Sequence, residues 1–273
     1  MRDDRRFYRH RLWVRVTHWI NVICMTGLLM SGLQIFNAHP ALYCGNNSAF
    51  DNPFFAIGTI QDAQGRSEGV TYIVGHSFDT SGVLGLSGDP RDPESARAFP
   101  AWATLPSDLW LAMGRRWHFF FAWIFVINGL VYGISSIIGR HLKHDLVPTA
   151  QELSHIPQSI GEHLRLRFPR GEAAKRYNVI QKLTYLFVAF LLGPVMVLAG
   201  LAMSPRLDAS YPVLLDIFGG RQSARTIHFI IAFAFLAFVV IHLVMVLVSG
   251  VWNNLRSMIT GWYDIGEDHH EQA

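Results

Sequence analysis

Four stretches of this 273-residue chain decide what it can become: 13–36, 117–138, 183–203 and 226–252. Each runs about 20 residues or more with almost no charge, the length of α-helix that crosses the ~30 Å hydrocarbon core of a bilayer. A helix in a soluble core would be shorter and would keep one polar face. In lipid every backbone N–H and C=O must be satisfied inside the segment, so such runs become helices. The expected fold is an all-α, integral membrane four-helix bundle, read as a single domain over 1–273. Composition agrees, with 51% of residues hydrophobic and only 16% charged.

Charge placement orients the spans. Arg2, Arg5, Arg6, Arg9, Arg11 and Arg15 crowd the start of the chain. Arg140, Lys143, Arg165, Arg167, Arg170, Lys175, Arg176 and Lys182 crowd the segment between the second and third spans. The long segment after the first span is poor in basic residues. The positive-inside rule then puts both termini and the middle loop in the cytoplasm, with the 37–114 loop and Ser204 to Ala224 outside. The same clustering beside apolar runs argues against a nucleic-acid surface. The first run is longer than a signal peptide's apolar core and no A-x-A site follows it, so it reads as a retained anchor.

The external loop 37–114 is rich in Gly, Pro, Ser, Asn and Asp. It reads mainly as turns and irregular chain, with VTYIVG a possible strand. Its aromatics, Phe50, Phe54, Phe55, Tyr72, Phe78, Phe99, Trp102 and Trp110, predict an ordered cap. The stretch VPTAQELSHIPQSIGEHLRL predicts a short amphipathic helix along the membrane surface. Cys24 and Cys44 do not form a disulfide framework, and no C-x-x-C-H for covalent haem occurs.

The chain has 13 histidines, of which His18, His118, His228 and His242 fall inside spans. A polar ring in hydrocarbon costs free energy unless it is paired, so each is a functional hypothesis. His228 and His242 stand fourteen residues apart, ~21 Å along one helix and within about 40° of one face. By depth the four form two pairs: His18 with His242 on the inner side, and His118 with His228 on the outer side. Two facing imidazoles are what a six-coordinate haem b needs, so two haem b are expected. Zinc would want further ligands at the same depth, and the spans offer none. Arg15, Arg115 and Arg225 each precede a span histidine by three residues, which puts them one turn nearer the aqueous surface. There they either pair with haem propionates or snorkel at span ends. His141 and His144 sit near the inner surface.

RVTHW in the first span, a single histidine opening the second, a histidine-free third and H-x13-H in the fourth resemble the bacterial cytochrome b561 and nickel–iron hydrogenase cytochrome b family. That family includes the formate dehydrogenase gamma subunit and the superoxide oxidase. The resemblance covers nearly the whole chain apart from the long external loop. It implies a dihaem cytochrome of the bacterial inner membrane with the same histidine pairing.

The run KRYNVIQKLTY, 175 to 185, is similar to a Y-N-x-G-Q-K pattern of quinone contact in formate dehydrogenase gamma. By that match Asn178 bonds a quinone carbonyl, although Ile180 stands where glycine would be. The other reading is an interfacial cap, with Tyr177, Gln181 and Lys182 reaching the headgroups. No nicotinamide, flavin, cysteine-cluster or zinc motif occurs, so no catalytic residue is assigned. The resemblance then implies electron transfer between the quinone pool and a periplasmic oxidoreductase of the molybdopterin or hydrogenase type. Two rivals stand beside it. One is a superoxide oxidase, with Arg115, Arg116 and Arg225 forming a basic funnel. The other is a channel or transporter with histidines along its path, in which Pro194 would be the single broken-helix signal.

Overall fold

The computed structural model describes residues 6–140, 142–164 and 178–264. Arg2, Arg5, His141, Arg165, Arg167, Arg170, Lys175, Arg176 and Tyr177 lie outside the described residues. In chain order, β1 (Arg6–Tyr8) leads into α1 (Leu12–Asn37), followed by β2 (Ala41–Leu42), β3 (Phe55–Gln61), β4 (Ser67–Ile73) and β5 (His76–Asp79). Next come α2 (Leu111–Ile138), α3 (Ala150–Ser154), α4 (Ile156–Leu164), α5 (Val179–Phe187) and α6 (Gly193–Ala202). The chain closes with α7 (Pro205–Ser210), α8 (Val213–Phe218), α9 (Arg221–Val248), α10 (Val251–Thr260) and β6 (Trp262–Asp264).

Among the described residues four helical segments are long and apolar enough to cross a membrane: Leu12–Asn37, Leu111–Ile138, Val179–Ala202 and Arg221–Val248. Their surfaces carry large apolar side chains that water would penalise, among them Ile23 at 64%, Trp123 at 66% and Ile138 at 77% exposed. Lipid is the solvent that suits them. Four boundaries differ from expectation by several residues, among them the third span's start at Val179. α2 starts at Leu111 and α9 at Arg221, because each helix continues through the arginine-bearing residues ahead of its apolar run, LAMGRR in α2 and RQSAR in α9. The fourth span ends at Val248 rather than 252, since Gly250 at φ 105° takes the left-handed conformation that stops a helix. In the third span α5 and α6 join through a wide turn, Val188–Leu192. Pro194 has no N–H and its ring would crowd the carbonyl four residues back. The Gly193 N–H reaches five residues back to Val188 instead.

The chain separates into two compact units. One comprises Asn21–Val126 and Val195–Ala232. It holds an antiparallel four-stranded sheet in the order β2-β3-β4-β5. The fold is therefore mostly helical rather than all-α, while 37–114 is mainly turns and irregular chain, as expected, around this small sheet. Strands β4 and β5 meet through a two-residue turn at Val74 (φ 45°) and Gly75 (φ 85°), with Ile73 opposite His76. Both φ values are positive, as a tight hairpin of this twist requires. Valine is a strained occupant there, which is why VTYIVG does not announce the turn. Gly69 lies so close to the 84–86 backbone that a Cβ would come within 2.3 Å of the Leu84 oxygen.

The core of this unit is Phe36, Leu42, Ile57, Ala98 and Phe99, with Leu33, Phe55, Leu84 and Phe229 packed against it. Of the aromatics expected to build the cap, Phe55 and Phe99 do so. Phe50, Phe54, Phe78, Trp102 and Trp110 are exposed, so the cap is ordered mostly by other residues. Arg97, only 5% exposed, is one of them. It donates to the Phe99 and Ser107 carbonyls, Gln34 Oε1 and Thr104 Oγ1 at 2.7 to 3.1 Å.

The other unit comprises Met1–Ile20, Ile127–Pro194 and Phe233–Ala273. In it β1 pairs with β6, tying the approach to α1 to the end of α10. The expected surface helix is two short helices, α3 and α4. Thr149 and Glu152 form a reciprocal cap at the start of α3. Lys182 does not reach outward: it is 7% exposed and its Nζ lies 2.7 Å from Glu152 Oε1. Burial of the ammonium is tolerable because the carboxylate is there to pair with it.

Candidate functional site

Two histidine pairs form, one in each unit. In the first unit described, His118 on α2 and His228 on α9 each lie seven residues in from the helix start. Their ring centroids are 6.1 Å apart at an interplanar angle of 61°. Hydrogen bonds fix which nitrogen of each ring is available. His228 Nδ1 lies 3.0 Å from the Met196 carbonyl oxygen. A carbonyl only accepts, so Nδ1 carries the proton and Nε2 presents its lone pair.

His118 Nδ1 lies 3.2 Å from Ser31 Oγ. That hydroxyl gives its own proton to the Gly27 carbonyl at 2.6 Å, so it accepts from His118, and again Nε2 is left free. Gly200 makes room for the His228 ring, while Gly32 stands at ordinary contact distance from the His118 ring. A Cβ at Gly200 would stand 3.2 Å from His228 Cε1, and one at Gly32 3.5 Å from His118 Cε1.

The approach to α9 is fastened from outside the helix. The Gly45 carbonyl accepts the Gln222 and Ser223 N–H groups at 2.9 and 3.2 Å, satisfying donors that a first turn leaves open. Thr226 Oγ1 donates to the Tyr43 carbonyl at 2.7 Å. Arg225 donates to the His39 carbonyl and lies 5.7 Å over the Phe36 ring. Burial, helped by Arg225, pushes the His39 imidazole below its ordinary value, which keeps it neutral. Arg115 and Arg116 are exposed.

In the other unit, His18 on α1 and His242 on α9 have ring centroids 6.3 Å apart at 58°. Phe238 stacks on His242 at 5.9 Å, and Trp19 meets His18 edge-on at 5.5 Å. Asn128 Nδ2 donates at 2.8 Å to the Thr17 carbonyl beside His18. Trp19 Nε1 donates to the Met258 carbonyl at 3.1 Å, and Arg15 to that of Ile259. These bonds hold the start of α1 against α10. His18 Nδ1 is buried with no hydrogen-bond partner among the described residues, a cost that something outside the chain can remove.

The spacing fits a metal held between two imidazoles. A metal–imidazole nitrogen bond of about 2 Å, plus roughly 1.1 Å from nitrogen to ring centre, taken twice, gives about 6.2 Å. Both pairs match it. Among the described residues no group of three or more His, Cys, Asp or Glu could hold an ion, so neither pair extends to a four-ligand zinc centre. A macrocycle that brings its own equatorial nitrogens and needs one imidazole on each face suits what the side chains offer.

Asn178 is the N-cap of α5. Its side chain accepts from the Ile180 N–H at 3.0 Å, and the Asn178 N–H donates to Gln181 Oε1 at 3.2 Å. Ser31, Gly32, Met196 and Gly200 did not stand out in the sequence. A serine and glycines inside apolar runs were the available signal, since small residues let helix backbones and rings approach closely.

Comparison with known proteins fixes the class. Residues 83–261 match the family described as prokaryotic cytochrome b561, and the chain belongs to that family. It is a multi-pass membrane cytochrome of electron transport, and the family implies haem b. The matched stretch contains His118, His228 and His242; His18 lies ahead of it. Over 253 residues, 92% of this chain and 96% of its relative, the protein is 28% identical to "Putative protein-methionine-sulfoxide reductase subunit YedZ1" of Azospira oryzae. No solved structure matches the chain significantly.

Proposed function

We propose that the chain is a single dihaem b-type domain passing electrons between the quinone pool and a periplasmic oxidoreductase. The observation that carries this is the recurrence of one geometry: two histidine pairs with ring centroids at 6.1 and 6.3 Å. His118 and His228 hold one haem, and His18 and His242 the other. Haem iron supplies one-electron chemistry, cycling between ferric and ferrous states. The chain's own residues set ligand orientation and local dielectric. Arg15, Arg115 and Arg225, one turn from their histidines, are placed in sequence to meet propionates; Arg15 and Arg225 also brace the backbone.

The proposed orientation has both termini in the cytoplasm and the sheet-bearing segment 37–114 in the periplasm of an inner-membrane protein. Quinone exchanges at the cytoplasmic side. Asn178 keeps its amide nitrogen for a quinone carbonyl while its oxygen caps α5.

The relative's name favours a partner that reduces protein methionine sulfoxide, ahead of a hydrogenase. The chemistry balances: a quinol yields two electrons and two protons, and a sulfoxide takes up two of each to give thioether and water. A carrier of single electrons serves twice per turnover. The exposed Arg115 and Arg116 favour a second reading, superoxide oxidation with quinone as acceptor. Anaerobic mixing of the purified protein with quinol separates them. Rapid appearance of ferrous b-type bands, then reoxidation by the periplasmic enzyme and methionine sulfoxide, is the expected course. Indifference to quinol and enzyme, with rapid reduction by superoxide, would overturn it in favour of the second reading.

A further inference from the structure

We infer that Ser31 is a positioning residue that tunes the redox potential of the centre held by His118 and His228. The inference rests on the dihaem reading and goes beyond it, because Ser31 touches no iron and lies on neither ligand helix. Ser31 is fully buried on α1. Its hydroxyl proton is committed to the Gly27 carbonyl at 2.6 Å, with Leu28 O at 3.3 Å. The oxygen facing His118 Nδ1 at 3.2 Å is therefore an acceptor.

An imidazole that donates Nδ1–H to an acceptor becomes a more basic ligand through Nε2, and its ring is held in one tautomer and orientation. A more basic ligand favours the ferric state and lowers the potential. The partner imidazole is treated alike, His228 giving its Nδ1 proton to the Met196 carbonyl at 3.0 Å. His18 lacks such a partner: its Nδ1 is buried without one among the described residues. Of the contacts described at these histidines, the Ser31 bond is made by a side chain that substitution can remove without touching the backbone.

The test is a spectroelectrochemical titration of the full-length protein as wild type, Ser31→Ala and Ser31→Cys. Haem per chain is counted in each, and His118→Ala identifies the bands of its own centre. The expected result is two haems in all three. In Ser31→Ala the midpoint of the His118 centre rises by about threefold or more in the one-electron equilibrium, roughly 30 mV at 59 mV per tenfold, while the other centre does not move. Ser31→Cys, with a weaker acceptor of similar size, falls between. The low-spin electron paramagnetic resonance signal of that centre shifts in the same order. Two retained haems with unchanged potentials in Ser31→Ala, or equal movement of both centres, would overturn the inference while leaving the dihaem reading standing. A wild type without two haems would remove the reading itself, and the inference with it.

Discussion

At the scale of single residues, the Lys182–Glu152 pair shows how burial turns a surface expectation around. One of the two readings of 175–185 has Lys182, at the start of a span, reach the headgroups. Instead α3 brings Glu152 within 2.7 Å and the ammonium stays inside. The Glu152 carboxyl is held below its ordinary value, first by the Lys182 hydrogen bond and then by the Thr149 N–H. A lowered folded-state pKa adds stability that is complete above the unfolded value near 4.5. That stability is lost as pH falls through the lowered one. Glu152→Ala should cost about 1–3 kcal/mol at neutral pH, a range reduced because the carboxylate is partly exposed. Thermal unfolding in detergent at pH 7 and at pH 3 measures it, with the gap between variant and wild type narrowing at the lower pH. The four span histidines were legible as residues because an imidazole in hydrocarbon has no cheap explanation. Ser31 and the Met196 carbonyl were not, since a serine that returns its proton to its own helix looks like filler and a carbonyl has no side-chain signature.

At the scale of elements, the long helices were legible to within a few residues at most ends, because hydrophobic length alone determines them. The sheet was not. Strand β3, FAIGTIQ, buries little on its outer residues, so its alternation is weak, and the Val74–Gly75 turn lacks the residues that usually mark such a hairpin. The cap's order comes from long-range contacts: Phe36 of α1 against Ile57 of β3, and Arg97 reaching back to Gln34. Ile57 is 1% exposed. Ile57→Ala should cost about 2–5 kcal/mol as a cavity in a small core. Limited proteolysis should then cut within 37–110 sooner than in the wild type, and unchanged resistance would show that the core is not what orders the segment.

At the scale of the whole molecule, two histidine pairs were legible before any geometry was known, because depth along each span sorts four residues into two sets. Their ring separations and the proton positions at His118 and His228 required the structure, since they depend on helix rotation and on acceptors contributed by neighbouring helices. Family membership supplies haem b, and the proposal of two rests on the two histidine pairs. The measurement that tests this most directly is haem per chain by pyridine haemochrome assay on the purified protein. The account predicts two in the wild type, one in His118→Ala, one in His242→Ala and none in the double variant. A single haem in the wild type, or two retained after loss of either histidine, would contradict it.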